Sequence, residues 1–280
     1  MALPADGHVH SEWSWDTGGP ASTAVGTMER TCARAMRIGL PALAFTEHLD
    51  MHGWSIDARD VLSLMRPLIG PDGVLVPPAL DLDGYQECVE RCRRQFPELR
   101  ILTGVEFGEP HLAHGLDLPG LDRVNGSLHT LVVEGLRYEP PSLYRLWAAE
   151  RVVSEYVAEV VRMVDGSDAF EVLAHIDYAV RYWPTEQVGP FDPRRFEEGF
   201  RHAMRTVAGS GRALEMNVGV RLRPWIPQWW KEEGGRAITF GSDAHQPGEL
   251  ANNFPEAAAM VEHHGFREGR HAEDFWTRQL

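Results

Sequence analysis

Cysteine is scarce in this chain of 280 residues, which contains only Cys32, Cys88 and Cys92. An odd and small number argues against a disulfide framework, and it leaves too few thiolates for a closed four-cysteine zinc site. Cys88 and Cys92 lie four apart in a predicted helix and share a face, but no second pair completes a site. The first residues also lack the basic and apolar regions of a signal peptide. These absences favour the cytoplasm.

Lysine and long apolar runs are scarce as well. Lys231 is the single lysine, and the formal net charge is −14 at pH 7. Proteins that bind a long nucleic-acid backbone need clustered lysine and arginine, so we expect no such partner. A small phosphorylated substrate, held by metals and a few arginines, is compatible with this charge. No segment approaches the roughly 20 continuous apolar residues of a membrane span, so we expect no membrane partner.

Short apolar runs that alternate with helical patterns are what the chain does contain. The runs Ala42–Phe45, Ile101–Val105 and Ala237–Gly241 are bounded by turn residues and predict buried parallel strands. About seven such strands alternate with helices, which predicts a parallel sheet with crossover helices. Because no linker, internal repeat or low-complexity tract interrupts the pattern, the sequence predicts a single α/β domain over residues 1–280.

Three longer segments have patterns of their own. Thr23 to Gly39 predicts a helix with Ser22 or Thr23 as its N-cap and Gly39 as its stop. Leu143 to Val164 has one apolar face and predicts the longest helix. Met51 to Leu82 is rich in proline and glycine and predicts a long irregular segment, of the kind that is often functional.

Side chains that bind metals lie at the ends of the predicted strands. His8 and His10 alternate with Val9, so both imidazoles project from one side of an extended strand, and Asp243 and His245 repeat this spacing. The carboxyl ends of the strands carry the chemistry of α/β barrels, and convergence of ligands there favours a closed barrel. Imidazole and carboxylate ligands together suit zinc, iron or manganese. The candidate ligands are His8, His10, Asp16, His48, Glu106, His129, His175, Asp243 and His245.

Other histidines and one glutamate lie near these positions. Glu47 precedes His48 and fits two roles, a metal ligand or a carboxylate that orients an imidazole. His111 and His114 follow Glu106 closely enough to keep a role at the rim of the site open. The remaining histidines lack matching partners and are interpreted as surface or loop residues.

With these positions assembled, the chain resembles the polymerase and histidinol phosphatase (PHP) superfamily of metal-dependent phosphoesterases. The ligand positions of the family occur in order, from His8-x-His10 to Asp243-x-His245. Within the superfamily the chain is most similar to the stand-alone histidinol-phosphate phosphatases, through the segments Phe45–His48, Gly126–His129 and Ala174–Tyr178. The resemblance implies a distorted seven-stranded TIM-like β/α barrel, which agrees with the alternating strands and helices.

The resemblance also implies a centre of three divalent transition-metal ions, with zinc, iron and manganese as candidates. Glu106 would bridge two of the ions, and Glu47 would orient an imidazole. In the family pattern the first ion takes His8, His10, Glu106 and Asp243, the second takes Glu106, His129 and His175, and the third takes Asp16, His48 and His245.

The implied reaction is hydrolysis of a small phosphate monoester by a hydroxide that bridges two metals, with L-histidinol phosphate as the expected substrate. Glu106 and Asp243 are the expected catalytic residues, and either Asp243 or a metal-bound water would protonate the leaving group. Arg181, Arg221 and Arg223 are the candidates for phosphate binding, because arginine contacts phosphate oxygens in a bidentate manner. The match to the family is loose around Arg221 and Arg223, so which arginine faces the site stays open.

Two alternative functions remain. A nucleotide phosphatase or a nuclease would use the same chemistry on other phosphoesters, although the acidic balance weighs against long nucleic acids. A metal-binding module without catalysis is the second alternative. The presence of all the ligand types weighs against it, because such a module would tolerate their loss.

Overall fold

The computed structural model describes residues 3–20, 25–113, 115, 116, 118 and 120–278. Short 3-10 turns lie at Trp15–Thr17, Arg66–Leu68, Pro110–Leu112 and Pro193–Phe196. The strands are β1 (Asp6–Val9), β2 (Ala42–Asp50), β3 (Trp54–Ser55), β4 (Val74–Leu75), β5 (Arg100–Gly108), β6 (Arg123–Ser127), β7 (Leu131–Val133), β8 (Leu136–Tyr138), β9 (Val172–Leu173), β10 (Ala213–Asn217), β11 (Ala237–Gly241) and β12 (Trp276–Thr277). The helices are α1 (Met28–Ile38), α2 (Leu82–Gln95), α3 (Pro140–Leu146), α4 (Ala149–Gly166), α5 (Tyr178–Arg181), α6 (Thr185–Val188), α7 (Glu197–Gly209), α8 (Trp225–Glu232) and α9 (Phe254–His263).

Seven parallel strands close into a barrel in the order β1, β2, β5, β6, β9, β10 and β11. The barrel closes where β1 pairs with β11, with Asp6 opposite Phe240. It is distorted, because the register shifts between β1 and β2 and because β9 contains only Val172 and Leu173. β12 adds an antiparallel strand outside β11. The predicted seven-stranded β/α barrel is therefore confirmed.

A second, small sheet lies at one side of the barrel and consists of β4, β3, β8 and β7. Two of its strands, β3 and β4, come from the segment Met51 to Leu82, which was predicted to be irregular. The other two form a hairpin directly after the barrel strand β6. The long segment is thus partly ordered by pairing with a distant hairpin, a contact that its own residues do not indicate.

Two helix boundaries differ from the prediction. The helix predicted over Leu143 to Val164 is divided into α3 and α4, because Trp147 is extended with φ −127° and ψ 158°. The first helix begins at Met28 and not at Thr23, since Thr27 takes the N-cap position and its side chain accepts a hydrogen bond from the Arg30 amide. The predicted caps Ser22 and Thr23 lie outside the described residues.

The helices cover the outside of the barrel with their apolar faces. On α4 the buried side chains Val153, Val157, Val160 and Val164 recur at helical spacing, as the sequence predicts for an amphipathic helix. The barrel strands are buried on both faces, which is why their sequences are nearly continuous apolar runs. Among the described helices, none is both long and apolar enough to cross a membrane.

Tyr85 of α2 joins two barrel strands by hydrogen bonds from a fully buried position. Its hydroxyl donates to the Phe45 carbonyl of β2 at 2.7 Å and accepts from the Gly104 amide of β5 at 2.8 Å. Both backbone groups are buried, so neither has water as an alternative partner. The hydroxyl thus fixes the two strands that carry His48 and Glu106.

We expect Tyr85→Phe to lower the free energy of unfolding by about 1–3 kcal/mol, because it removes two buried hydrogen bonds, one to the Phe45 carbonyl and one from the Gly104 amide. Urea denaturation of the wild type and the variant measures the difference. Tyr138→Phe is the control, since no hydrogen bond joins the Tyr138 hydroxyl to any residue in the described ranges. Equal losses in the two variants would contradict the role of Tyr85.

Candidate metal centre

The predicted ligands converge at the carboxyl ends of the barrel strands. His8 lies in β1, and His10 follows that strand directly. His48 and Glu106 lie in neighbouring positions of β2 and β5, where they face each other in the register. The remaining predicted ligands follow the ends of β6, β9 and β11, except one in the 3-10 turn after β1. These are His129, His175, Asp243, His245 and, in the turn, Asp16.

Glu106 is the centre of this cluster. Its Oε2 lies 3.3 Å from His8 Nε2, 3.4 Å from His10 Nε2 and 3.1 Å from His48 Nδ1. Its Oε1 lies 3.1 Å from His129 Nε2 and 2.7 Å from His175 Nε2. One fully buried carboxylate therefore contacts imidazoles from four strands and their loops.

The described part of the chain contains four overlapping groups of possible metal ligands. Within each group, the donor atoms all lie within 4.8 Å of one another. Two of the groups match the predicted ligand sets of the first and second ions. The groups are His8, His10, Glu106 and Asp243; Glu106, His129 and His175; His10, His48 and His245; and His48, Asp50 and His129. The third predicted set differs, because His10 takes the place that was predicted for Asp16.

Asp16 nevertheless lies beside the third group. Its Oδ2 is 2.7 Å from His245 Nε2 and 3.5 Å from His48 Nε2. Its Oδ1 is buried and forms no hydrogen bond with the described residues. A buried carboxylate oxygen without a partner, beside two imidazoles, fits an ion as its partner.

Glu47 lies behind His10 and not among the donors. It accepts hydrogen bonds from the Ser11 amide at 3.0 Å and from the Ser14 hydroxyl at 2.7 Å. The Ser14 hydroxyl in turn lies 2.9 Å from His10 Nδ1. Of the two roles open to Glu47 in the sequence, this geometry fits the orientation of an imidazole.

Two carboxylates that the sequence does not single out hold other rings. Glu215 Oε2 lies 2.7 Å from His8 Nδ1, and Asn217 donates to Glu215 Oε1 at 2.8 Å. Asp50 Oδ1 lies 3.4 Å from His129 Nδ1, and the Trp15 indole donates to Asp50 Oδ2 at 2.8 Å. A carboxylate inside an apolar strand, as at Glu215, is the signal in the sequence that points to such a role.

The electrostatics of the cluster follow from burial and mutual contact. Burial alone would raise the pKa of Glu106, but His8, His129 and His48 hold it well below the usual range. Burial alone would lower the pKa of His8, but Glu215 and Glu106 raise it well above the usual range. Glu106 is thus charged and His8 gathers a proton, which a divalent ion would replace on binding. The donors are carboxylates and imidazoles without a thiolate, a set that fits zinc, iron or manganese.

Two of the converging residues have backbone conformations that side chains rarely adopt. Asp243 has φ 56° and His175 has φ 20°, and neither is a glycine. The Asp243 amide donates to the His8 carbonyl at 2.9 Å, which ties the turn after β11 to the first strand. Such strain is usual at functional sites, where the surrounding structure imposes it.

A cleft of about 470 Å³ opens over the cluster. Arg181 lies in its wall, and its Nη1 donates to Asp243 Oδ2 at 2.9 Å. Its Nε and Nη2 are buried and form no hydrogen bond with the described residues. Neither Arg221, which is exposed, nor Arg223, which pairs with Asp177, belongs to the described lining of the cleft.

Of the two histidines kept open for the rim, His111 pairs with Glu159 at 2.8 Å and does not belong to the described lining of the cleft. His114 lies outside the described residues. The lining of the cleft also includes Trp15 and Trp54, whose rings are 5.6 Å apart, edge to face.

Comparison with known proteins places these observations in a family. Over 94% of its length the chain is 24% identical to histidinol-phosphatase of Lactococcus lactis, covering 92% of that protein. It is 26% identical to a probable histidinol-phosphatase of Deinococcus radiodurans, with 94% of each chain covered.

Solved structures agree on the fold. The crystal structure of histidinol phosphate phosphatase from Lactococcus lactis, complexed with zinc, L-histidinol and phosphate, matches with a TM-score of 0.75 at 20% identity, covering 98% of each chain. A putative histidinol phosphatase from Listeria monocytogenes matches with a TM-score of 0.65 at 17% identity, covering 90% of this chain and 99% of that one. The PHP domain model matches residues 6–219, and the chain therefore belongs to the PHP domain family.

Proposed function

We propose that this protein is a metal-dependent phosphatase of small phosphomonoesters, with L-histidinol phosphate as its substrate. The observation that carries the proposal is the convergence of carboxylates and imidazoles around Glu106, beneath a cleft that also contains Arg181. The names of the relatives in Lactococcus lactis and Deinococcus radiodurans support histidinol phosphate as the substrate.

We propose three divalent ions, held as the family pattern implies, with zinc the best-supported metal because the structure from Lactococcus lactis contains it. Glu106 would bridge the first and second ions, since its two oxygens face different histidines. His10 is a further candidate ligand of the third ion, with His48 and His245, because donor atoms of the three rings lie within 4.8 Å of one another. Bound divalent ions supply Lewis acidity and lower the pKa of a coordinated water.

Arg181 is the arginine that the geometry favours for the substrate phosphate. Arg181 lines the same cleft as most of the donor cluster, and its buried Nε and Nη2 lack a hydrogen bond among the described residues. Burial alone would lower the pKa of Arg181, but the hydrogen bond and the charge of Asp243 raise it, so the guanidinium stays charged. A guanidinium with two free N–H groups matches two oxygens of one phosphate group.

Glu106 and Asp243 remain the proposed catalytic residues. Asp243 contacts the first donor group and Arg181 at once, with Oδ1 3.4 Å from His10 Nε2 and Oδ2 on the guanidinium. It therefore lies between the phosphate-binding arginine and the proposed ions, where a proton for the leaving group is needed.

The three free and buried thiols fit the cytoplasm as the proposed compartment.

We expect Glu106→Gln to reduce turnover to below about 1% of the wild type. Removing a residue that only orients a metal ligand typically reduces activity 10- to 100-fold, and removing a ligand shared by two ions should reduce it more. The wild type should contain about three ions per chain and the variant fewer. Elemental analysis and phosphate release measure the two effects, with Glu87→Gln on the exposed face of α2 as the control. A wild type with one ion or none would contradict the three-ion centre.

We expect Arg181→Met to lower kcat/KM by about 10- to 100-fold, mainly through KM, because it removes a charge-assisted contact with phosphate. Arg221→Met is the matched control, since Arg221 is exposed and outside the described lining of the cleft. Steady-state kinetics on one substrate compares the two. A larger effect of Arg221→Met would assign the phosphate to that arginine and refute the role of Arg181.

We expect histidinol phosphate to have the highest kcat/KM in a phosphate-release screen that also contains nucleotides and sugar phosphates. A cleft of about 470 Å³ and a net charge of −14 suit a small substrate better than a nucleic acid. A low rank for histidinol phosphate, behind nucleotides, would favour the nucleotide phosphatase. No phosphate release from any compound by the metal-loaded protein would favour a non-catalytic module.

A further inference from the structure

Six carboxylates line the cleft, and five of them have a basic partner. Glu106 lies among the imidazoles, and Arg181 binds Asp243. Asp60 pairs with Arg145 on α3. Asp16 and Asp50 lie beside His245 and His129. The sixth, Glu139, forms no ion pair with any residue of the described ranges, although it lines the same cleft as Asp50 and Asp60.

Glu139 has no evident structural task that would explain its position. It is the N-cap residue of α3, but its side chain accepts no hydrogen bond from the first turn of that helix. The side chain lines the cleft, where burial raises its pKa to about 7. The charge of His129 and the Trp54 indole oppose this effect, and the charges of Asp50 and Glu109 add to it. A desolvated carboxylate without a basic partner costs stability, and a cationic group of a ligand would offset this cost.

Aromatic side chains share the cleft with Glu139, and Trp54 and Tyr178 lie close enough to interact with it. Trp15, Trp54, Tyr178 and Tyr182 line the same cleft. The Trp15 and Trp54 rings meet edge to face at 5.6 Å, and Tyr178 and Tyr182 meet at 5.5 Å. Aromatic faces attract cations, and a carboxylate between such faces is a usual site for an ammonium or imidazolium group.

We infer that Glu139 binds the cationic group of the substrate and makes the site selective for phosphomonoesters that carry an ammonium or imidazolium group. The inference rests on the proposed function, because it requires the phosphate to lie at Arg181 and the donor cluster. The cleft then binds an anionic group at one end and a cationic group at the other. The proposed ions and Arg181 hold the dianion, and Glu139 with its aromatic neighbours holds the cation.

The test uses two compounds that differ in one charged group, ethanolamine phosphate and ethyl phosphate, together with histidinol phosphate, on the metal-loaded enzyme. We expect Glu139→Gln to lower the preference for ethanolamine phosphate over ethyl phosphate by roughly 10- to 100-fold, the factor that a charge-assisted hydrogen bond supplies. The loss should lie mainly in KM, and kcat/KM for ethyl phosphate should stay within about twofold. Glu139→Asp should restore part of the preference, because it keeps the charge.

Two outcomes would overturn the inference. An unchanged preference of Glu139→Gln for ethanolamine phosphate over ethyl phosphate would show that another group binds the cation. Equal losses on both compounds would show that Glu139 acts on the reaction or on the fold. Glu186→Gln, at an exposed site on α6, is the matched control.

Failure of the proposed function gives a different result. In that case histidinol phosphate is a poor substrate of the wild type, whereas the response of the ethanolamine and ethyl pair to Glu139→Gln still decides the role of Glu139.

Discussion

The structure depends on one buried carboxylate. Glu106 lies within 3.4 Å of ring nitrogens from His8, His10, His48, His129 and His175, and these residues come from β1, β2, β6 and β9 or from the loops that follow them. A charge buried so deeply is tolerable only where opposite charge surrounds it on every side. A closed barrel achieves this, because its geometry directs the ends of all its parallel strands toward one axis.

Around this carboxylate, three of the five imidazoles are held by a second acidic group. Glu215 holds His8, Asp50 holds His129, and Glu47 reaches His10 through Ser14. Such partners fix which ring nitrogen faces the centre and make that nitrogen more basic. The centre is therefore a layered arrangement in which negative charge alternates with imidazole, and this explains why so acidic a chain concentrates histidines in one place.

The fold and the donors could be predicted from local pattern. The spacing of His8 and His10 fixes a shared face whatever the rest of the chain does, and the apolar runs before Glu47 and Glu106 predict strands, although β2 and β5 extend past these residues to Asp50 and Gly108. Contacts between distant segments could not be predicted. Glu215 approaches His8 only because the barrel closes, and Arg181 rather than Arg223 lines the cleft because Asp177 binds Arg223. The division of the long helix at Trp147 depends likewise on packing, which periodicity does not contain.

The pairing of β1 with β11 also determines when the centre can exist. His8 Nε2 and Asp243 Oδ1 lie 3.7 Å apart, although the two residues are near opposite ends of the sequence. Their approach therefore requires ordering of nearly all the chain between them. Contacts of such long sequence separation form late, because the entropy of the intervening chain is lost first. A nascent chain emerging from the ribosome contains the histidines of β1 long before their partners. Complete coordination of the proposed ions would therefore be possible only in the finished barrel, and bound metal would stabilise the closed state over every partly folded one.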